Sequence, residues 1–516
     1  MKWINFYGIL IGGIVLSCEP ISERKQPMPT LQQLAANKNL NLNGEQLANA
    51  YCGSCHLMPA PEILNKVTWE KNVLPDMRMR LGLYLSEDFG RTLPDDRGVP
   101  EGIYSKQTLI SSENWAKIKA YYLENAPVEP LVQKEKIEPE VGLPGFELEI
   151  PNYQKIYPDL TTMVKVEKET GDIWLGHRFR ALFRLDPSND FQVKDSIATD
   201  IAPINIKWRE NGFDLLTMGL MDPSNDSLGV LWSYSEQESH FEKTAALKTD
   251  LIRPAHIEYA DWNGDGVEDQ VISQFGDHLG KLSLFLSEGD DTFREVILKA
   301  LPGARRSMAI DFDQDGDLDV LGLMTQSNEG LYVWLNEGDG IFREQNLLKF
   351  HPAFGSSDFR YEDINGDNFL DIVLVNGDNA DLSQINKNYH GVRVFLNNGD
   401  NEFVESWFYP MHGASSIEIA DFDEDGDLDL FAIAFFSDKS QLPKQNLIYF
   451  RQDEKMSFSP FIPDFNAEMS WLTLDQGDID LDGDLDLVIG AFDFNDLYKM
   501  PNTPWSPIIV FKNTLK

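Results

Sequence analysis

A chain of 516 residues is too long for one ordinary hydrophobic core, so it must divide into domains or build a repeat array. With 42% hydrophobic and 11% aromatic residues it has ample material for a core, which excludes a largely disordered polymer. Its 84 acidic residues against 44 basic ones exclude nucleic acid as a partner, because phosphate binding needs Lys and Arg to displace counterions; the surplus answers to a solvated surface or to bound cations.

Residues 1–17 read as an export signal: Lys2 supplies positive charge, Ile9 to Leu16 form an apolar stretch too short to span a bilayer, and Ser17 precedes Cys18. Val15-Leu16-Ser17-Cys18 resembles the lipobox of bacterial lipoproteins. That resemblance implies cleavage before Cys18, acylation there, and a lipid-anchored protein on the periplasmic side or surface of a bacterial envelope. An ordinary secretory peptide with an incidental cysteine is the plainer alternative. Residues 18–29 then form a tether, and no later stretch is apolar enough to cross a membrane.

The two remaining cysteines lie in Cys52-Gly53-Ser54-Cys55-His56. Such a pair serves a redox dithiol, half a zinc site, or thioether attachment of haem. Zinc needs two further Cys or His ligands, which residues 30–127 lack, and a dithiol has no use for the adjacent His. Covalent haem uses all three residues, with thioethers at Cys52 and Cys55 and His56 as proximal iron ligand. Helical spacing surrounds the motif: Leu42, Leu47 and Ala50 before it, Trp69, Val73, Leu74 and Met77 after it, and a last helix over Trp115, Ile118, Tyr121 and Tyr122, capped by Ser111 or Ser112 and stopped by Pro127. This order resembles the small c-type cytochromes, so residues 30–127 are expected to form an all-α cytochrome c-like haem domain. A sixth ligand falls to Met77, with Met79 as alternative and a five-coordinate iron as the third option; Met58 is too near His56 to reach the opposite face. His/Met ligation would point to electron transfer. Residues 128–144, rich in Pro, Glu and Lys, read as an extended linker.

From residue 145 a unit recurs at about 50 to 58 residues. Its clearest part is an acidic turn with oxygen-bearing side chains at positions 1, 3, 5 and 9. The five sets are Asp261, Asn263, Asp265 and Asp269; Asp311, Asp313, Asp315 and Asp319; Asp363, Asn365, Asp367 and Asp371; Asp421, Asp423, Asp425 and Asp429; and Asp478, Asp480, Asp482 and Asp486. Ligands at 1, 3 and 5 curl a turn around a hard cation, a carbonyl at 7 adds another and the position-9 Asp closes the shell, which fits up to five Ca²⁺ ions. Position 6 needs a left-handed backbone and is Gly in four turns and Asn368 in the third. The Asp at position 7, as in Asp317, Asp427 and Asp484, is expected to point outward. A single acidic turn would be an ordinary hairpin; five in register would repel one another without cations.

Each turn joins a short apolar strand, such as Met308-Ala309-Ile310, to a longer one, such as Leu428 to Ile433. A third strand runs into an Asn-rich hairpin, as at Asn397-Asn398-Gly399-Asp400, and a fourth opens with Phe293, Phe342, Phe403 or Phe458. Four strands per unit make a propeller blade. The pattern resembles the FG-GAP or VCBS repeats of integrin-like propellers. Residues 158–196 and 201–246 keep the rhythm but shrink the turn to Glu169-Thr170-Gly171-Asp172 and Glu210-Asn211-Gly212-Phe213, so two blades without metal are expected there and seven in all. The last unit ends on its third strand at Phe511, and Gly145 to Ile150 matches the missing fourth, so the two termini should close the ring. The fold class is therefore multidomain: a small all-α domain followed by an all-β seven-bladed propeller over 145–516.

Opposite the acidic turns lie the loops at 377–391, 437–445 and 491–507 and the residues His256, Arg305, Arg306, Arg360, Trp471 and Trp505, read either as ordinary loop residues or as a surface for an acidic ligand, a sugar or the haem edge. The expected function is electron transfer coupled to a propeller binding module, with a redox partner protein or quinone-linked system beyond it. The alternative is a propeller oxidoreductase passing substrate electrons to its own haem. For it the sequence offers His256, His278 and His412, none in a recognisable motif.

Overall fold

In the computed structural model, residues 41–88, 99–151, 153, 158–237, 240–289, 292–379, 383–465, 469–493 and 506–515 are described. The expected signal 1–17, Cys18 and the tether 18–29 lie outside them, as do Trp505 and most of the loop at 491–507.

Helix α1 (Gly44–Tyr51) starts on a capping box: the Asn43 side chain accepts from the Gln46 amide, and the Gln46 side chain accepts from the Asn43 amide. A helical run continues through Lys66–Thr68, a π-helical stretch Trp69–Val73 and α2 (Leu74–Arg80). Helix α3 (Ser112–Asn125) is capped by Ser111, whose side chain accepts from the Asn114 amide at 3.1 Å. The apolar faces of α1 and α3 meet around Leu47, Ala50, Trp115, Ile118 and Tyr122. Gly44 permits the close approach, since a Cβ there would fall 2.3 Å from the Lys117 carbonyl oxygen.

Seven four-stranded sheets follow. Blade one spans Thr161 to Ala198, blade two Pro203 to Leu251, blade three Pro254 to Lys299, blade four Ala304 to Lys349, blade five Ser356 to Pro410, blade six Ala414 to Ile462 and blade seven Trp471 to Asn513. The first strands contact one another around the axis. The second strands of blades three to seven, each opening on an aspartate, are buried on both faces. Each blade contact carries its own apolar cluster, for example Leu321, Leu331, Phe359 and Leu374 between blades four and five.

Closure follows the expected register. Phe146–Glu149 pairs antiparallel with Ile508–Asn513, aligning Phe146 with Asn513 and Glu149 with Val510. Phe146 inserts its ring 5.4 Å from Phe431 and 5.5 Å from Tyr449 of blade six, so one terminal strand joins two blades.

The segment read as a linker is extended but docked. Glu140–Val141 adds a fifth, parallel strand to blade six. Upstream, Lys136 donates to the Pro410 carbonyl at 2.9 Å and the Gln445 side chain at 2.5 Å, and Tyr409 donates to the Ile137 carbonyl at 2.9 Å. Pro and charge set its extended shape, whereas partners some 270 to 310 residues away set its place.

Truncating Phe146 to Ala should cost about 2–3 kcal/mol in denaturant unfolding, below the ~3–5 kcal/mol of a fully buried ring because Phe146 is only partly buried. A loss under about 0.5 kcal/mol would mean that the closing strand holds through its backbone alone.

Candidate functional site

All five acidic turns share one geometry. The position-1 carboxylate accepts the amide of position 6: Asp261 from Gly266 at 2.8 Å, Asp311 from Gly316 at 3.2 Å, Asp363 from Asn368 at 2.7 Å, Asp421 from Gly426 at 3.0 Å and Asp478 from Gly483 at 2.9 Å. Position 6 is left-handed throughout, including Asn368 at φ +71°. Position 4 is left-handed too, which the sequence did not announce: Gln314, Glu424 and Leu481 sit at φ +61°, +57° and +60°.

This curl gathers the carboxylates. Asp311, Asp313 and Asp315 each bring one oxygen within 4.8 Å of the others, as do Asp421, Asp423 and Asp425, and Asp478, Asp480 and Asp486. Asp311 Oδ1, Asn365 Oδ1 and Asp423 Oδ1 are buried and accept no hydrogen bond. Of the position-7 aspartates, Asp317 is exposed as expected, whereas Asp484 is buried.

The position-9 aspartates, Asp269, Asp319, Asp371, Asp429 and Asp486, are fully buried. Asp319 Oδ2 accepts the Phe312 amide at 2.9 Å and its Oδ1 the Asn336 amide at 2.7 Å; Asp269 and Asp486 repeat this with Trp262 and Ser287, and with Ile479 and Asn513. Position 9 therefore fastens the turn to the end of the third strand. Burial, with neighbouring turn carboxylates adding to it, pushes all five upward, Asp371 to about 6 and Asp429 and Asp486 to about 7.

A side-chain amide at the end of the third strand completes the link. The Asn336 side chain donates to the Leu318 carbonyl of its own turn at 3.1 Å and to the Trp262 carbonyl of blade three at 2.9 Å. Gln452 likewise bridges Leu428 and Ile364, and Asn513 bridges Leu485 and Phe422. In the sequence these amides pass for hairpin residues; their recurrence beside Asp 9 was the available signal.

In blades one and two protein cations stand beside the aspartates. Asp172 is buried between Arg184 and Lys194, each at 2.7 Å, and Asp214 pairs with Arg209 at 2.7 Å.

In the helical region Cys52 is half-buried, Cys55 is exposed, and neither is in a disulfide. His56 Nδ1 lies 3.0 Å from the Leu57 carbonyl, and burial lowers its pKa. The following loop is anchored by Tyr122 to the Pro59 carbonyl at 2.9 Å and by Trp69 to the Pro61 carbonyl at 2.8 Å. Met77 is partly buried against the same core as Cys52 and Met58, whereas Met79 is 4% exposed.

The residues expected at the open mouth are mostly engaged. Arg360 is buried between Asp358 at 3.0 Å and Glu418 at 2.6 Å, Arg306 reaches Asp358 at 3.3 Å, and Trp471 belongs to the core between blades six and seven. Burial alone would raise Asp358, yet Arg360 and Arg306 hold it well below the carboxylate range. Asp358, Glu418, Lys165 and Asp475 were missed because nothing local marks a strand as axial. His256 is partly buried near Ser307, and desolvation followed by Arg306 drives its pKa well down.

A family model described as FG-GAP-like repeat matches residues 261–321, 311–374 and 375–432. The propeller carries FG-GAP-like repeats. No curated protein matches the chain. Of 715 matching chains from solved structures, one comes from an S. cerevisiae Dbp5 structure bound to Nup159, Gle1, IP6 and ADP; it is 9% identical, covers 72% of this chain and 98% of that chain, and has a TM-score of 0.41.

Replacing Asn336 by Leu keeps the volume but strands the Leu318 and Trp262 carbonyls. Denaturant unfolding should show a loss of about 1–3 kcal/mol. An unchanged midpoint would remove the inter-blade amide from the account of FG-GAP-like stability.

Proposed function

We propose that this is a bacterial envelope protein, anchored by lipid at Cys18, in which a c-type haem domain relays electrons and a Ca²⁺-stabilised FG-GAP-like propeller serves as binding module. The observation that carries the haem reading is the Cys52–His56 turn. Two unlinked thiols stand one helical turn apart, and the Leu57 carbonyl engages Nδ1 of an uncharged imidazole, directing Nε2 to ligation. Cys52 and Cys55 would hold the haem, His56 its iron, and Met77, rather than the more deeply buried Met79, the sixth position. Haem so held supplies one-electron transfer, and a thioether ligand favours the ferrous state.

For Ca²⁺ the support is the oxygen set itself. Gathered carboxylates, undonated buried oxygens and raised position-9 pKa values describe turns whose negative charge lacks compensation from within. A hard divalent cation supplies it. The propeller's partner is a sugar or a protein, and electrons pass to a redox partner protein or quinone-linked system. The mutual pairing of Arg306, Asp358, Arg360 and Glu418 favours relay over a substrate-oxidising propeller.

Two measurements test this reading. The mature protein should show a haem c spectrum that survives denaturation and is lost in Cys52→Ala/Cys55→Ala, with the methionine–iron charge-transfer band lost in Met77→Ala and kept in Met79→Ala. Haem reduction by a sugar or an alcohol, with a quinone cofactor supplied and without another enzyme, would replace the relay with the oxidoreductase. Separately, chelation should lower the thermal midpoint, since free Ca²⁺ at 100 times its Kd contributes about 2.7 kcal/mol per site. An unaltered midpoint and no bound divalent metal would reject the calcium assignment.

A further inference from the structure

The apolar cluster around the Cys52–His56 turn does not end with the helical region. Cys52, Met58 and Met77 pack against it, and so do Ala353 and Ile385 of the propeller. Asn328, between the second and third strands of blade four, donates its side-chain amide to the Cys55 carbonyl at 3.4 Å. Tyr104 meets His278 of blade three edge-on at 6.4 Å, and Tyr104 is itself held by its hydroxyl on Asp76 at 3.0 Å. These contacts come from neighbouring blades, all on the face away from the acidic turns.

We infer that the propeller supplies one wall of the haem crevice, with Asn328 positioning the Cys55 end of the attachment turn and Ala353 and Ile385 closing the apolar side. The inference rests on the haem reading above and adds to it that the haem environment is shared by two domains. A small helical domain buries a modest share of its surface, so a second wall is what excludes water from a flat apolar ligand. The wall is rigidly backed. Tyr389 donates to the Ala353 carbonyl at 2.9 Å and lies parallel to Phe354 at 6.1 Å, and Phe354 stacks on Phe350 at 4.2 Å.

Charge behind the wall is largely balanced. Lys387 and Arg393 are buried near His351 and, after burial itself, lower its pKa to about 4, but Arg393 is paired with Glu405 at 2.6 Å and Glu329 is buried nearby. Low dielectric favours the less charged, ferrous iron, so by excluding water the propeller raises the haem potential. Burial is the lever, and Asn328, Ala353 and Ile385 act as positioning residues.

The experiment uses the full-length haem-loaded protein. Ile385→Glu puts a carboxylate into the wall and should lower the midpoint potential by at least the equivalent of a tenfold change in the reduction equilibrium, about 59 mV for one electron. It should also speed binding of exogenous imidazole to the iron. Val404→Glu, on the exposed fourth strand of the same blade, should alter neither. Asn328→Leu should move both readouts in the same direction as Ile385→Glu, and it decides the matter if Ile385→Glu does not assemble. Calcium content and propeller unfolding report that the blades are intact. Covalent haem with unchanged potential and unchanged imidazole access in these variants overturns the shared crevice and leaves the haem reading standing; absence of covalent haem from the unsubstituted protein overturns both.

Discussion

A buried aspartate at the start of the second strand is the constraint on which the propeller is organised. Asp269, Asp319, Asp371, Asp429 and Asp486 have no exposed surface. An isolated buried carboxylate costs several kcal/mol, so each must be compensated locally. Backbone amides from the turn and from the third strand provide part of that compensation and fix the shape of the blade as they do so. What remains differs between blades. In blades one and two Arg184, Lys194 and Arg209 stand beside Asp172 and Asp214. In blades three to seven burial pushes the aspartate's pKa upward, and the ionised side chains acting on it are further aspartates, which add to that shift. One architecture thus meets the same electrostatic demand with internal cations in two blades and, on the proposed reading, with external ones in five.

The same aspartates make the ring cooperative. Asn336, Gln452 and Asn513 each give a backbone amide to the aspartate of their own blade and a side-chain amide to the turn of the blade before. A turn that loosens therefore disturbs its neighbour as well as itself. Where the ring passes from blade seven to blade one, the contact changes form. Gly171 at φ +71° leaves room for the Ile479 carbonyl, which a Cβ would approach to 2.6 Å. Because repeat stability resides largely in such neighbour terms, carboxylate compensation spreads its effect around the ring.

Much of this was legible because it is periodic. The turn ligands, the left-handed Gly and Asn368, the strand rhythm and the closing Phe146 strand all recur or match a recurring template, so sequence alone placed seven blades and their seam. The helix order around Cys52-Gly53-Ser54-Cys55-His56 was legible through caps and apolar spacing. What escaped reading depends on distance in the chain. Arg360 and Trp471 looked like mouth residues because one is charged and the other sits before a strand, yet the ring turns one into the axis and the other into a blade contact. Glu418, Asp358 and the strap around Lys136 have partners that no local pattern names. Position 4 escaped for another reason. Gln314, Glu424 and Leu481 are poor formers of left-handed backbone, and the turn imposes it on them.

The two faces of the ring consequently divide the chemistry. Negative charge is concentrated in turns on one side, where hard cations are the natural counterpart, while the helical region rests on the other against Asn328, Ala353 and Ile385. An iron porphyrin set among the acidic turns would have its ferric form stabilised and its potential lowered. On the proposed reading it instead lies across the ring, against Asn328, Ala353 and Ile385, farther from that field, and interactions beyond about 10 Å are largely screened at the surface. On that reading, cation binding would stiffen the blades through the Asp and amide links without imposing its own charge on the haem. Mechanical coupling through the ring and electrostatic separation across it follow from the same placement of residues.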